Sequence, residues 1–225
     1  MKLSIVIPVF NKWNFTKSCL IDLSMLPKET HEIIVVDNGS TDETNKELSG
    51  STDIVYHRNE ENLGFAKACN IGYGRATGDI IMFLNNDIRV QSNHSNWTNA
   101  VFEAVEKYPN SLIGPTMGQL DANLNFVKEA NTRLDGNSYM SGWCLAAHRN
   151  TWKKLDLANG MIFSEDFFCY YEDTDLSFRA RRLKIGFEVI AIPVVHFGKI
   201  TSKQLNTYEL YAKAKKIFVK KWRSK

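Results

Sequence analysis

The run Phe83-Leu84-Asn85-Asn86-Asp87 ends a hydrophobic segment abruptly in two amides and a carboxylate. Oxygen donors at the end of a buried strand can hold a hard divalent cation against a substrate phosphate. The same residues suit a polar turn, because Asn and Asp are common there, and the stretch alone leaves both readings open. Two earlier apolar runs close in the same way, residues 4–10 at Asn11 and residues 33–36 at Asp37.

Positioning such groups together takes a sheet. Residues 3–10, 32–37, 54–56 and 80–84 read as short apolar strands alternating with helical patterns, which predicts a parallel α/β sheet. Right-handed crossovers would bring the carboxyl ends of these strands to one edge, where open α/β folds bind ligands. Asn11 is expected to cap a helix carrying Phe15, Cys19, Leu20 and Leu23 on one face. Gly64 and Phe65 open a second helix. No Gly-x-Gly-x-x-Gly follows the first strand and no Walker-type loop occurs, which argues against the ordinary dinucleotide-binding and P-loop classes.

The second half is less regular. Asn93 is placed at the start of a helix running through Trp97, Val101, Phe102 and Val105, and residues 111–140 read as a strand meander or loops. Residues 141–147 read as a turn into a strand, 149–155 as a short helix, 173–183 as a helix and 187–192 as a strand. The chain closes in a helix whose apolar face runs through Leu205, Tyr208, Tyr211, Phe218 and Trp222.

Composition narrows the classes further. With 225 residues, 44% hydrophobic and 24% charged, the chain is an ordinary globular sequence able to bury a core. Cys19, Cys69, Cys144 and Cys169 are scattered without a Cys-x-x-Cys pair, as expected of buried thiols in a reducing compartment. Met1 runs almost directly into a strand pattern and no apolar run approaches the roughly 20 residues of a membrane span. A cytoplasmic location is therefore expected, extending to peripheral contact with the inner face of a membrane. Lys213, Lys215, Lys216, Lys220, Lys221, Arg223 and Lys225 form a basic end without acids, whereas residues 1–212 hold 21 basic and 25 acidic residues.

Seven segments taken together resemble family 2 glycosyltransferases, inverting enzymes of the GT-A fold. They are Ser4-Ile5-Val6-Ile7-Pro8-Val9-Phe10-Asn11, Ile34-Val35-Val36-Asp37-Asn38-Gly39-Ser40-Thr41-Asp42, residues 62–70, the Phe83 to Asp87 run, Ser141-Gly142, residues 167–176 and Val195-His196-Phe197-Gly198. They occur in the family's order over about residues 3–202. The resemblance implies one GT-A domain over 1–225. Residues 1–90 would bind the nucleotide, 91–202 the acceptor, and 203–225 would form a basic helix.

It also implies roles. Pro8, Phe10 and Asn11 match a loop holding base and ribose, Asp37 a carboxylate on the base, and Lys67 a basic position near base and diphosphate. Asp87 matches the last acid of an Asp-x-Asp motif that binds Mn²⁺ or Mg²⁺, and His196 a second metal ligand. Asn85 and Asn86 depart from that motif; Asn85 is expected to meet the ribose and Asn86 to shape the turn. Asp173 matches the general base, although its position also suits a helix cap. Gly142, Trp143 and Glu172 are assigned to the acceptor, with Trp143 as a sugar-stacking platform. The expected substrates are a nucleotide-sugar donor, UDP favoured and dTDP-rhamnose next, and a polysaccharide or lipid-linked glycan acceptor.

Three readings of the basic end stay open at this level: a solvated helix face, contact with a membrane, and contact with another polyanion. Nucleic acid ranks lower, as does transfer to a hydroxyl on a nucleic-acid base. A sugar- or nucleotide-binding module without catalysis is the alternative from another class.

Overall fold

The computed structural model describes residues 1–91, 97–198 and 206–223. The first half runs β1 (Leu3–Val9), α1 (Trp13–Leu23), β2 (His31–Asp37), α2 (Thr44–Leu48), β3 (Val55–Arg58), α3 (Phe65–Arg75), β4 (Ile80–Leu84) and β5 (Ile88–Val90). The second half continues with α4 (Asn99–Lys107), β6 (Ser111–Gly114), β7 (Met117–Leu120), β8 (Phe126–Ala130), β9 (Ser138–Met140), β10 (Cys144–His148), α5 (Arg149–Leu155), α6 (Glu172–Arg182), β11 (Gly186–Val189), β12 (Val194–His196) and α7 (Thr207–Arg223).

The central sheet has the order β11-β6-β10-β4-β1-β2-β3. All neighbours are parallel except β10, which runs against both β4 and β6. The inner strands, covered by helices on both faces, carry near-continuous apolar runs rather than an alternating pattern, and every side chain of β4 is inaccessible to solvent. Along β1, Ile5, Ile7 and Val9 pack on the face covered by Cys19, Leu20 and Leu23 of α1. Val6 points to the opposite face with Ala68 and Cys69 of α3. Gly72 permits that second approach: a Cβ there would stand 2.2 Å from Val6 Cγ1. Of residues 111–140, β6 joins the central sheet and β7, β8 and β9 make a separate three-stranded sheet in the order β8-β7-β9, not a sequential meander.

One expected cap differs. Asn11 and Lys12 both adopt left-handed φ, 54° and 61°, so the chain turns twice before α1 begins at Trp13. The Asn11 side chain accepts from Thr41 N at 2.7 Å instead of capping α1, and Asp42 Oδ2 takes the Trp13 N–H at 2.8 Å. The helix start is therefore capped from another loop, which staples the β1–α1 and β2–α2 connections together. Asn93, Leu205 and Lys225 lie outside the described residues.

Candidate active site

The carboxyl ends of β1 and β4 open into a cleft of about 290 Å³. Pro8, Phe10, Asn85, Asn86 and Asp87 line it from the first half, and Gly142, Trp143, Glu172, Asp173 and His196 from the second.

A small ribbon explains how Asp87 meets a residue 109 positions away. β12 pairs antiparallel with β5, placing His196 opposite Ile88, and the Phe197 N–H donates to the Asp87 carbonyl at 2.9 Å. His196 Nε2 then lies 3.1 Å from Asp87 Oδ1 and 3.3 Å from Asn85 Nδ2. Asn86 turns the other way and donates to Thr16 Oγ1 at 2.8 Å, fixing the turn against α1.

One carboxylate oxygen and one imidazole nitrogen thus converge on a single point. Among the described residues no group of three His, Cys, Asp or Glu side chains could hold a metal alone. This donor pair fits a divalent cation shared with a diphosphate and water, and not a closed protein cage.

Trp143 does not offer the expected platform. It is almost buried, and the His196 ring covers one face with centroids 4.7 Å apart and planes 12° from parallel. Its indole N–H donates to Thr116 Oγ1 at 2.9 Å and Glu129 Oε1 at 3.1 Å. The tryptophan is a backstop for the imidazole.

The Glu172–Asp173 pair sits where α6 begins. Tyr170 and Tyr171 both adopt left-handed φ, so Tyr171 occupies the cap position and Asp173 is the second residue of the helix. Asp173 Oδ2 accepts from Gly142 N at 3.0 Å, and Oδ1 accepts from Thr174 N at 2.6 Å. Gly142 is needed at this approach, since a Cβ would stand 3.1 Å from Asp173 Cβ. Burial raises the Asp173 carboxyl, with the hydrogen bonds from Gly142 and Thr174 working against that rise. Burial and the neighbouring Asp173 charge raise Glu172 as well, which favours a protonated Glu172 beside Asp173. Glu172 Oε2 is buried without a hydrogen-bond partner among the described residues.

Three expected contacts fall outside the cleft lining. Asp37 is fully buried and accepts from Ser40 N at 2.8 Å, Tyr56 Oη at 2.7 Å and Arg58 Nη1 at 2.8 Å. Both its oxygens are engaged, and it organises the β2–α2 turn from behind. Asn11 is occupied with Thr41 as above. Lys67 is half-buried and lies 3.9 Å from Glu165. Sequence reading missed Glu129, Tyr139, Phe168 and Cys169, all of which line the cleft. Phe168 and Cys169 fall inside the family-like segment 167–176 without a role attached, whereas nothing local marks Glu129 and Tyr139, since β8 and β9 reach the cleft only through tertiary packing.

The pattern for glycosyl transferase family 2 matches residues 4–153. The chain belongs to glycosyl transferase family 2. It is 31% identical over 226 residues to the glycosyltransferase AglE of Haloferax volcanii, covering 89% of this chain and 70% of that protein. It is 29% identical over 96 residues to the glycosyltransferase GlyA of Streptococcus pneumoniae serotype 4, covering 41% of this chain and only 14% of GlyA. The chain thus spans a small part of some curated glycosyltransferases it matches and most of another. The crystal structure of GalNAc-T7 with UDP, GalNAc and Mn²⁺ superposes with a TM-score of 0.71 at 17% identity, over 87% of this chain and 43% of that one. The family 2 domain therefore has the GT-A fold, and a family 2 domain is a glycosyltransferase domain.

Proposed function

We propose that this glycosyltransferase is metal-dependent and inverting, moving a sugar from a nucleoside-diphosphate donor to a hydroxyl of a glycan acceptor. The observation that carries this reading is one cleft lined by both the Asp87–His196 pair and the Glu172–Asp173 pair. UDP is the favoured donor nucleotide, in keeping with the UDP held by GalNAc-T7. Pro8 and Phe10 line the nucleotide side of the cleft, and Asn85 is the candidate ribose contact.

Asp87 and His196 would hold Mn²⁺ or Mg²⁺, which when bound neutralises charge on the diphosphate leaving group. Asp173 takes the proton from the acceptor hydroxyl as its oxygen attacks the anomeric carbon. The bond from that carbon to the β-phosphate oxygen breaks on the opposite side, which inverts the anomeric centre. Glu172, protonated and with Oε2 unpartnered, is suited to hydrogen-bond an acceptor hydroxyl and leaves Asp173 as the ionised base.

Donor hydrolysis over a panel of nucleotide sugars, with Mn²⁺ and with chelator, tests the reading. A UDP-sugar is expected to be hydrolysed only with the cation present. Turnover unchanged by chelator, and unchanged in Asp87→Ala, would overturn the metal assignment. Retention of ligand with no turnover on any donor would favour a binding module.

A further inference from the structure

We propose that the outer edge of α7 and the β7–β8 hairpin together form a docking surface for an anionic lipid bilayer. This proposal stands apart from the glycosyl-transfer reading.

The basic residues of α7 divide into two sets. Lys221 is turned inward, 2.8 Å from Asp175 Oδ1, and Lys215 is tied to Asn125 Oδ1. Lys213, Lys216, Lys220 and Arg223 are exposed, and their spacing of three, four and three residues puts them on one stripe. Tyr208, in the first turn of α7 and to one side of that stripe, is 84% exposed.

The helix lies along the hairpin. Tyr211 Oη accepts from Phe126 N at 3.1 Å, and Arg223 Nη2 donates to Ala122 O at 3.4 Å. Beside this seam the edge strand β8 carries Phe126 and Val127, exposed by 48% and 55% on its two faces, with the exposed Lys128 next in sequence. The nearby acids do not cancel the stripe. They are Asp121, which accepts from Asn123 and Asn125, Glu129, which accepts from Thr116 and Trp143, and Glu209 at the first turn of α7, against the exposed bases of the stripe and Lys128.

Lysine and arginine beside exposed aromatic and aliphatic side chains match a bilayer interface, which offers anionic headgroups and an apolar boundary at once. A sugar–phosphate backbone would satisfy the charges and leave Val127 without a complement. Phe126 also lines the cleft, so a docked bilayer would lie beside the cleft mouth.

The test is sedimentation of the full chain with phosphatidylcholine vesicles, with and without phosphatidylglycerol. Binding is expected only with phosphatidylglycerol. It should weaken about tenfold or more in Lys213→Glu/Lys216→Glu, because each basic residue near an anionic surface contributes severalfold. Tyr208→Ser/Val127→Ser should keep the low-salt binding and lose the fraction that survives high salt, where charge is screened. Thermal melting of each variant serves as the folding control. Equal partitioning onto neutral vesicles, or charge-reversed variants that melt normally and bind as tightly, would overturn the proposal. So would a single-stranded oligonucleotide that binds more tightly than the vesicles and displaces them.

Discussion

Trp143 lies flat against His196, with ring centroids 4.7 Å apart and planes 12° from parallel. The indole is fixed in turn by Thr116 and Glu129, so the plane of the imidazole is set by the residues packed behind it. Orientation of a ligating histidine by its neighbours commonly changes metal affinity by about tenfold or more. Trp143→Ala is expected to weaken Mn²⁺ binding to that extent. Trp143→Phe, which keeps a flat face and loses only the N–H, should lie closer to the parent. Electron paramagnetic titration of Mn²⁺ separates the two, and equal affinities for both variants would remove the backstop role.

Asp173→Asn should reduce turnover by roughly 10³-fold, the usual range for loss of a general base. UDP affinity, measured by calorimetry, should change little because the nucleotide side of the cleft is untouched. A variant with near-parent turnover would move the base elsewhere, to Glu172 first.

The acid limb of the rate profile reports the same group. Burial lifts the Asp173 carboxyl from 3.8 to about 6. A base acts in its ionised form, so kcat/KM is expected to fall as pH drops through about 6. The Glu129 charge contributes to the rise, and Glu129→Gln should therefore shift the limb toward lower pH. A limb that stays near 4 in the parent enzyme would show that another group titrates.

Gly142→Ala tests the seat of that carboxylate without altering its chemistry. The added methyl group would stand 3.1 Å from Asp173 Cβ and 3.4 Å from Oδ2, forcing a shift of a few tenths of an ångström. Displacement on that scale is expected to lower kcat by about tenfold while the melting temperature moves little. The decisive comparison is kcat against thermal stability in the same preparation.

Asp175 predicts stability and not activity. It is fully buried and receives Arg179 Nε at 3.1 Å, Lys221 Nζ at 2.8 Å and Trp222 Nε1 at 2.8 Å. It joins α6 to α7. Asp175→Ala would strand two partly buried cations and an indole N–H, at a cost of about 3 kcal/mol. Urea unfolding should record that loss, and a change below about 1 kcal/mol would mean that α7 is held by its aromatic contacts instead.

The parallel strands of the first half and the edge at their carboxyl ends were legible because continuous apolar runs ending in Asn or Asp mark strands buried on both faces. The cap assigned to Asn11 was not, because an Asx residue after a strand looks the same whether it caps the next helix or ties a neighbouring loop. Only the left-handed step at Asn11 and Lys12 delays the helix enough for Asp42 to cap it from 29 residues away.

By itself the sequence determined the parallel α/β half and the basic end, since each is written in residue type and local period; Asp87 stood out as a strand-end carboxylate, and Asp173 only through the family resemblance. Tertiary structure decided what those residues face. The β5–β12 ribbon sets His196 against Asp87, and the stacking that turns Trp143 from a sugar platform into a backstop follows from it. Packing of α6 on the β9–β10 turn gives Asp173 its hydrogen bond from Gly142. Packing of α7 on Asp175 turns Lys221 inward and leaves Lys213 and Lys216 outside. These are contacts between residues 31 to 109 positions apart, and no local pattern encodes a distance that only the closed chain creates.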